Sequence, residues 1–229
     1  MKNARKHTGP HIFIATPVHS GQVCAEYVKS LMDTLPALAQ NGVAYTHSFI
    51  IGNALVHDAR NRLVSWFLAS EATDMLFIDA DICWDADDAV RLARSPHDVI
   101  GGAYPQKRED RELYNVAGLK PTGTHLLETD YLGGGFVKVS GRAIKKMIEA
   151  YPETKYQDPE GGDCYGLFQA PIVDGKLTGE DAFFFRQWRK IGGKVFLEPN
   201  MTLIHMGNKA FVGNFAKLAE RQMQNKGAA

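Results

Sequence analysis

The chain has 229 residues, 45% of them hydrophobic, with 26 basic and 26 acidic side chains and a formal net charge of zero. That length suits a single domain over 1-229 with a sizeable core. The charge balance excludes a general nucleic-acid binder, which needs a basic excess to neutralise phosphates. Met1 to Pro10 is polar and basic, an expected flexible N-terminus without the apolar segment of a signal peptide. No stretch approaches the roughly 20 apolar residues of a spanning helix, so no transmembrane segment is expected. Cys24, Cys83 and Cys164 are odd in number and widely spaced, which gives neither a zinc pattern nor a disulfide framework. A reducing, cytoplasmic setting is the simplest expectation.

His11 to Val18 predicts a first buried strand, broken by the turn formers Pro17 and Gly21. Tyr27 to Leu38 has apolar residues at helical spacing, and Asn41-Gly42 closes it with a left-handed cap. Val43 to Ile51 is a second strand. Leu55 to Leu68 is a second helix with Leu55, Ala59, Leu63 and Phe67 on one face. From Met75 to Trp84 an apolar run leads directly into Asp79 and Asp81. Ala86 to Ala93 is a third helix, capped by Asp85 or Asp87, and Val99 to Tyr104 a further strand. Such alternation predicts an α/β fold: a mostly parallel central sheet flanked by helices. Gln106 to Thr129 and Tyr151 to Lys176 are irregular and are expected as loops at one rim of the sheet. Between them, Tyr131 to Val139 is a strand containing Gly133-Gly134-Gly135, and Gly141 to Ala150 is a helix. Glu180 to Ile191 is a helix closed by Gly192-Gly193, followed by short strands at Val195 to Leu197 and Met201 to His205. Phe211 onward, 211-229, is expected as a C-terminal amphipathic helix. Three uses are open to it: docking on the body, pairing two subunits as a homodimer, or touching a membrane surface.

Five stretches carry candidate chemistry. Strand alternation would point Asp79 and Asp81 to one side, where two carboxylates repel unless a proton or a hard cation sits between them. The lesser alternative is that they are turn formers or helix caps. Arg60, near the start of the second helix, suits a diphosphate, or is a solvated surface arginine. Gly134 and Gly135 permit close backbone approach to a ligand, or mark a bulge. Glu180 and Asp181 complement a helix dipole, and only one of two adjacent side chains faces a crevice. His205 is a metal ligand or a hydrogen-bonded core histidine.

Taken in order, these stretches resemble the A-type (GT-A fold) glycosyltransferases that use nucleotide-sugar donors, above all the family-two group. Phe77-Ile78-Asp79-Ala80-Asp81 is similar to their Asp-x-Asp (DXD) motif, and Leu132 to Arg142 to their Gly-Gly-Phe strand and following helix. Glu180 to Gly193, with Arg186, Trp188, Arg189 and Lys190, is similar to their Glu-Asp helix. Ile204-His205-Met206-Gly207 resembles their closing histidine, and Thr16-Pro17-Val18 their opening strand and turn. The resemblance runs from about residue 11 to 207. It implies a Rossmann-like single domain with a small additional β element, and a hexosyltransferase-like enzyme moving one sugar from a UDP- or GDP-linked donor to a glycan or other hydroxyl acceptor. It further implies that Thr16, Pro17, Arg60, Asp79 and Ala80 line the nucleotide site, with Gly134 and Gly135 near the donor sugar or acceptor. Asp79, Asp81 and His205 would hold Mn2+ or Mg2+. Asp181, or less readily Glu180, would be the base of an inverting reaction. Lys107 and Arg108, after the Gly-Ala-Tyr-Pro turn, are expected to add positive charge at the phosphates.

The chain departs from that family in lacking the long C-terminal extension, the membrane helices and the Q-x-x-R-W motif of processive synthases, which implies single-sugar transfer. It also lacks the acidic residue many relatives use to read uracil. The alternatives are a retaining transferase of the same fold, a catalytically silent nucleotide- or sugar-binding module, and an Asp-x-Asp phosphatase. The phosphatase is disfavoured because Cys83 stands where those enzymes carry Thr or Val. A dinucleotide-dependent dehydrogenase is disfavoured because Thr16 to Gln22 has no Gly-x-Gly-x-x-Gly.

Overall fold

The computed structural model describes residues 9–159 and 161–227. The expected flexible N-terminus therefore lies, up to Thr8, outside the described residues. The chain begins with β1 (His11–Val18), α1 (Ala25–Gln40), β2 (Ala44–Ile51), α2 (Val56–Leu68) and β3 (Asp74–Ile78). A short β4 (Ile82–Cys83) leads to α3 (Ala86–Arg94) and β5 (Val99–Gly101). Next come β6 (Val116–Ala117), β7 (Lys120–Pro121), β8 (Leu127–Thr129), β9 (Tyr131–Leu132), β10 (Phe136–Ser140) and α4 (Gly141–Ala150). The second loop region carries β11 (Lys155–Gln157) paired with β12 (Asp163–Tyr165), then the hairpin β13 (Ile172–Val173) and β14 (Lys176–Leu177). The chain continues through α5 (Glu180–Lys190), β15 (Val195–Leu197), β16 (Thr202–Met206), β17 (Ala210–Asn214) and α6 (Phe215–Gly227).

Eight strands form the central sheet, in the order β2-β1-β3-β10-β5-β15-β8-β7. The pairs β1–β2, β1–β3 and β5–β15 are parallel, while β10 runs antiparallel to both β3 and β5. Mostly parallel sheets need both faces covered. The sequence of β3 meets that need by alternation, with Met75 and Phe77 in one apolar cluster and Leu76 and Ile78 in the other. Leu63 and Phe67 of α2, Ile144 of α4 and Phe184 and Trp188 of α5 fill the first cluster. Tyr27 and Leu38 of α1 and Ala89 and Leu92 of α3 fill the second. The result is the expected Rossmann-like layering of helix, sheet and helix, with a small separate sheet of β17, β16 and β4 at one end.

Several expectations shift. β3 ends at Ile78, and Asp79 to Asp81 form a tight turn closed by Ile82 N donating to Asp79 O at 3.0 Å. Strand alternation therefore does not place the two carboxylates. The strand expected across Tyr131 to Val139 is two strands separated by the glycines. Phe211 to Asn214 is not helical, because its backbone pairs with β16 from Thr202 to Met206. The helix begins after Asn214, whose Oδ1 accepts from Lys217 N as an N-cap does. That helix docks on the body, with Phe215 edge-on to Tyr114 and Arg221 2.7 Å from Glu112. Leu55 precedes α2 and is exposed, so it is not part of the buried face. Asp85 holds the N-cap position of α3 without a side-chain cap bond. Among the described residues no helix is long and apolar enough to cross a membrane.

Phe77 is fully buried and packs edge-on against Phe168, with ring centroids 5.3 Å apart. Phe77→Ala is expected to lower unfolding free energy by about 3–5 kcal/mol in a urea titration.

Candidate functional site

β1 and β3 pair only from Ile12/Asp74 to Ala15/Phe77, and their carboxyl ends then part. Pro17 falls just beyond that separation, where a missing N–H breaks no bond to β3. The connection from β1 leads outward to β2, while β3 leads toward the other half of the sheet. Such a reversal is where open α/β sheets form a ligand crevice. A cleft of about 610 Å³ opens there. Its walls include Pro17 at the end of β1, His19 and Cys24 beyond it, Asn53 and Val56 around the start of α2, Asp79 to Asp81, and Met206-Gly207. The volume lies within the roughly 300–1,000 Å³ of small-molecule sites.

Beneath the cleft lies Arg60, 2% exposed. Its Nη1 donates to Gly134 O at 2.9 Å, its Nη2 to Asp79 Oδ1 at 2.7 Å, and its Nε is 3.4 Å from Glu180 Oε1. The guanidinium also lies over the rings of Phe77 and Phe168, 5.5 and 5.9 Å from their centroids. Burial would lower its pKa, but Asp79, Glu180 and Asp181 outweigh that and raise it. Burial raises the Asp79 carboxyl, against the opposing pull of Arg60.

Backbone contacts fix the aspartate turn. Asp79 N donates to Gly135 O at 3.0 Å, and Met206 N donates to Asp81 O at 2.7 Å. Pairing of β4 with β16 sets His205 opposite Ile82. His205 Nδ1 is 2.9 Å from Pro105 O, and since a carbonyl only accepts, that nitrogen carries the hydrogen. Nε2 is thereby turned to Asp81, 3.5 Å from Oδ2. Lys107 Nζ reaches the same oxygen at 2.5 Å. Burial would raise the Asp81 carboxyl, but hydrogen bonds from His205 and Lys107 prevail and hold it at about 2.

Asp181 stands at the first turn of α5. Its Oδ2 accepts from Gly134 N at 3.1 Å and from Tyr131 Oη at 3.3 Å, and its Oδ1 from Ala182 N at 2.7 Å. Tyr104 accepts from Gly135 N at 3.1 Å and packs edge-on to His205. A Cβ on Gly134 would stand 3.0 Å from the Arg60 guanidinium, and one on Gly135 would stand 2.7 Å from Asp79 Oδ2. These two glycines make room for the chain's own charged groups.

Of the expected nucleotide contacts, Pro17, Asp79 and Ala80 line the cleft and Lys107 reaches Asp81 on its wall. Two side chains do not face it. Thr16 is fully buried with its hydroxyl 2.6 Å from Tyr27 Oη, and Arg60 is consumed by its internal partners. Arg108 turns away onto Asp110. Among the described residues no three His, Cys, Asp or Glu side chains are placed to hold a metal ion. Asp81 and His205 stand side by side, while Asp79 is turned to Arg60. Tyr104 and Tyr131 were not foreseen. The Gly-Ala-Tyr-Pro turn was the available signal for Tyr104.

No family profile matches the chain, and no curated protein does. Solved structures do. The crystal structure of A197 from STIV aligns with a TM-score of 0.55 at 17% identity, covering 90% of this chain and 95% of that one. That likeness extends over nearly the whole architecture and shows a shared fold. A glycosyltransferase involved in the glycosylation of the major capsid of PBCV-1 aligns with a TM-score of 0.33 at 12% identity, over 62% of this chain and 67% of that one. So loose an overlap carries no weight for the site.

Two outcomes test this geometry. Arg60→Met strands Asp79 and Glu180 beside an apolar side chain, and is expected to lower unfolding free energy by about 3–5 kcal/mol in urea. A carboxyl NMR titration is expected to place the Asp81 midpoint at about 2, below its ordinary 3.8, and Lys107→Met to raise it. The depressed pKa stabilises the folded state above the ordinary carboxylate pKa, and that contribution is lost as pH falls through about 2.

Proposed function

We propose that this chain is a glycosyltransferase that moves one sugar from a nucleoside-diphosphate sugar to an acceptor hydroxyl. The observation that supports it best is the cleft at the parted ends of β1 and β3. Asp81, with Lys107 and His205 beside it, stands on the wall of that cleft, and Asp181 is joined to it through Gly134 and Arg60. The first groups suit a diphosphate and the last a hydroxyl, which are the two chemistries that sugar transfer needs together.

The nucleoside would lie between Pro17 and Val56, near the amide of Asn53. That amide is oriented by its bonds to Asp58 Oδ2 at 2.6 Å and Leu55 N at 2.9 Å. For a divalent cation the donor set fits in part. Asp81 offers a carboxylate, and His205 offers Nε2 whenever that nitrogen carries no proton, the remaining hydrogen being held on Nδ1 by Pro105 O. Mg2+ or Mn2+ commonly takes few protein ligands and completes its shell with phosphate oxygens and water. When bound, such a cation supplies Lewis-acid stabilisation of the charge that develops on the leaving diphosphate. Asp181 takes the acceptor proton. Gly134 N and Tyr131 Oη already fix its carboxylate through Oδ2, and Oδ1, which accepts only from Ala182 N, keeps a further lone pair. Glu180 is the weaker candidate because it faces Arg60. An acceptor hydroxyl is a poor nucleophile at neutral pH, and a placed carboxylate contributes typically 10²–10⁴-fold.

A nucleotide-release assay across UDP- and GDP-linked donors, with Mn2+ or Mg2+ and a panel of hydroxyl acceptors, tests the reading. Acceptor-dependent release of nucleoside diphosphate is expected. Asp181→Asn is expected to cut kcat by roughly 10²–10⁴ with nucleotide affinity unchanged. Nucleotide binding without release on any acceptor would favour a silent binding module instead.

A further inference from the structure

Cys24 and Cys83 are 59 residues apart in the chain, yet their sulfurs meet at 3.6 Å. Cys24 holds the N-cap position of α1, where its Sγ accepts from Tyr27 N at 3.3 Å. Its own N–H donates to Ala80 O, in the aspartate turn, at 3.5 Å. Cys83 ends β4 and is 2% exposed. The two thiols differ in access: Cys24 is partly exposed and lines the cleft, whereas Cys83 is not among its walls. A buried thiol can be plain apolar filling. Cys164 is of that kind, buried beside Ser65 with that hydroxyl 3.1 Å from its sulfur. Cys24 and Cys83 are set apart by their contact with each other and by the opening over one of them. A disulfide needs about 2.05 Å between its sulfurs, so these two have only about 1.5 Å to close.

We infer that Cys24 and Cys83 form a reversible modification site, at which a low-molecular-weight disulfide entering the cleft converts the two thiols into an intramolecular disulfide. The Cys24 thiolate attacks one sulfur of the incoming molecule. That molecule's S–S bond breaks, a mixed disulfide forms on Cys24, and the departing thiolate takes up the proton that Cys24 gave up. Cys83 then gives up its proton and attacks Cys24 Sγ. This expels the second small thiolate, which takes the Cys83 proton. Two protein thiols are thereby oxidised by two electrons, and one small disulfide is reduced to two thiols. Access sets the order, since only Cys24 lines the cleft. The second step is favoured because its partner already stands beside it. The new bond fastens the start of α1 to the strand that leaves the aspartate turn, along one wall of the cleft. None of this depends on which ligand the cleft takes.

Glutathione disulfide is the probe, added to the folded full chain and followed by intact-mass and peptide-mass measurement. Wild type is expected to lose two hydrogens and to retain no glutathione at completion. Its digest is expected to contain one peptide pair joined through Cys24 and Cys83, which dithiothreitol separates. Cys83→Ala is expected to stop at the mixed disulfide, with one glutathione held on Cys24. Cys83→Ser serves if the alanine variant fails to melt cooperatively. Cys24→Ser keeps a capping oxygen on α1 and is expected to react at Cys83 at least about tenfold more slowly than wild type reacts at Cys24. Glutathione retained on Cys24 of the wild type, no reaction at Cys24, a link made through Cys164, or Cys24→Ser reacting at the wild-type rate each overturns the inference.

Discussion

The fold is centred on a charge that cannot leave. Arg60 is buried to 2% exposure, under the sheet's end, and a lone guanidinium there would be prohibitively costly. It is tolerable because Asp79, Glu180 and the carbonyl of Gly134 stand around it, and because Phe77 and Phe168 offer rings beside it. Each partner comes from a different element, so satisfying Arg60 fixes where α2, β3, the glycine turn and α5 stand relative to one another. Buried ion pairs contribute less to net stability than to arrangement. Here the arrangement sets the turn of Asp79 to Asp81 against the first turn of α5.

The cleft follows from a second constraint, the parting of β1 from β3. Parallel neighbours with continuous pairing would leave no room for a ligand. Pro17 falls where the ladder has already ended, and the turn at Asp79 diverts the chain into β4. The pairing of β4 with β16 then brings His205 across a hundred residues to meet Pro105 O and Asp81. Tyr104, Pro105 and Lys107 touch Gly135, His205 and Asp81 in turn, so one short segment braces the whole acidic wall.

Hydrophobic periodicity made the main elements legible. The four apolar residues before Asp79 read as a doubly buried strand and are one, and Gly141 to Ala150 read as a helix with the observed bounds. Side-chain direction at the site was much less legible. Arg60 looks like a surface arginine because polar residues surround it in sequence, whereas its aromatic and acidic partners lie far along the chain. The three glycines announce a close approach but not its object, since Tyr104, Arg60 and Asp79 enter from elsewhere. Phe211 to Asn214 carries apolar residues that suit a helix face, yet β16 offered an unpaired edge and strand pairing prevailed.

The antiparallel insertion of β10 has a consequence for how the molecule comes into being. β10 must slot between β3 and β5, so the sheet cannot be completed until the segment beyond residue 136 has been synthesised and returned to the middle. Arg60 to Gly134, Asn61 to Phe168 and His205 to Pro105 are bonds across 74, 107 and 100 residues. Contacts that close such large loops repay their entropy late on the folding route. In a nascent or partly folded chain the aspartate turn and the first turn of α5 are therefore not yet brought together. The cleft acquires its walls only with the final cooperative step.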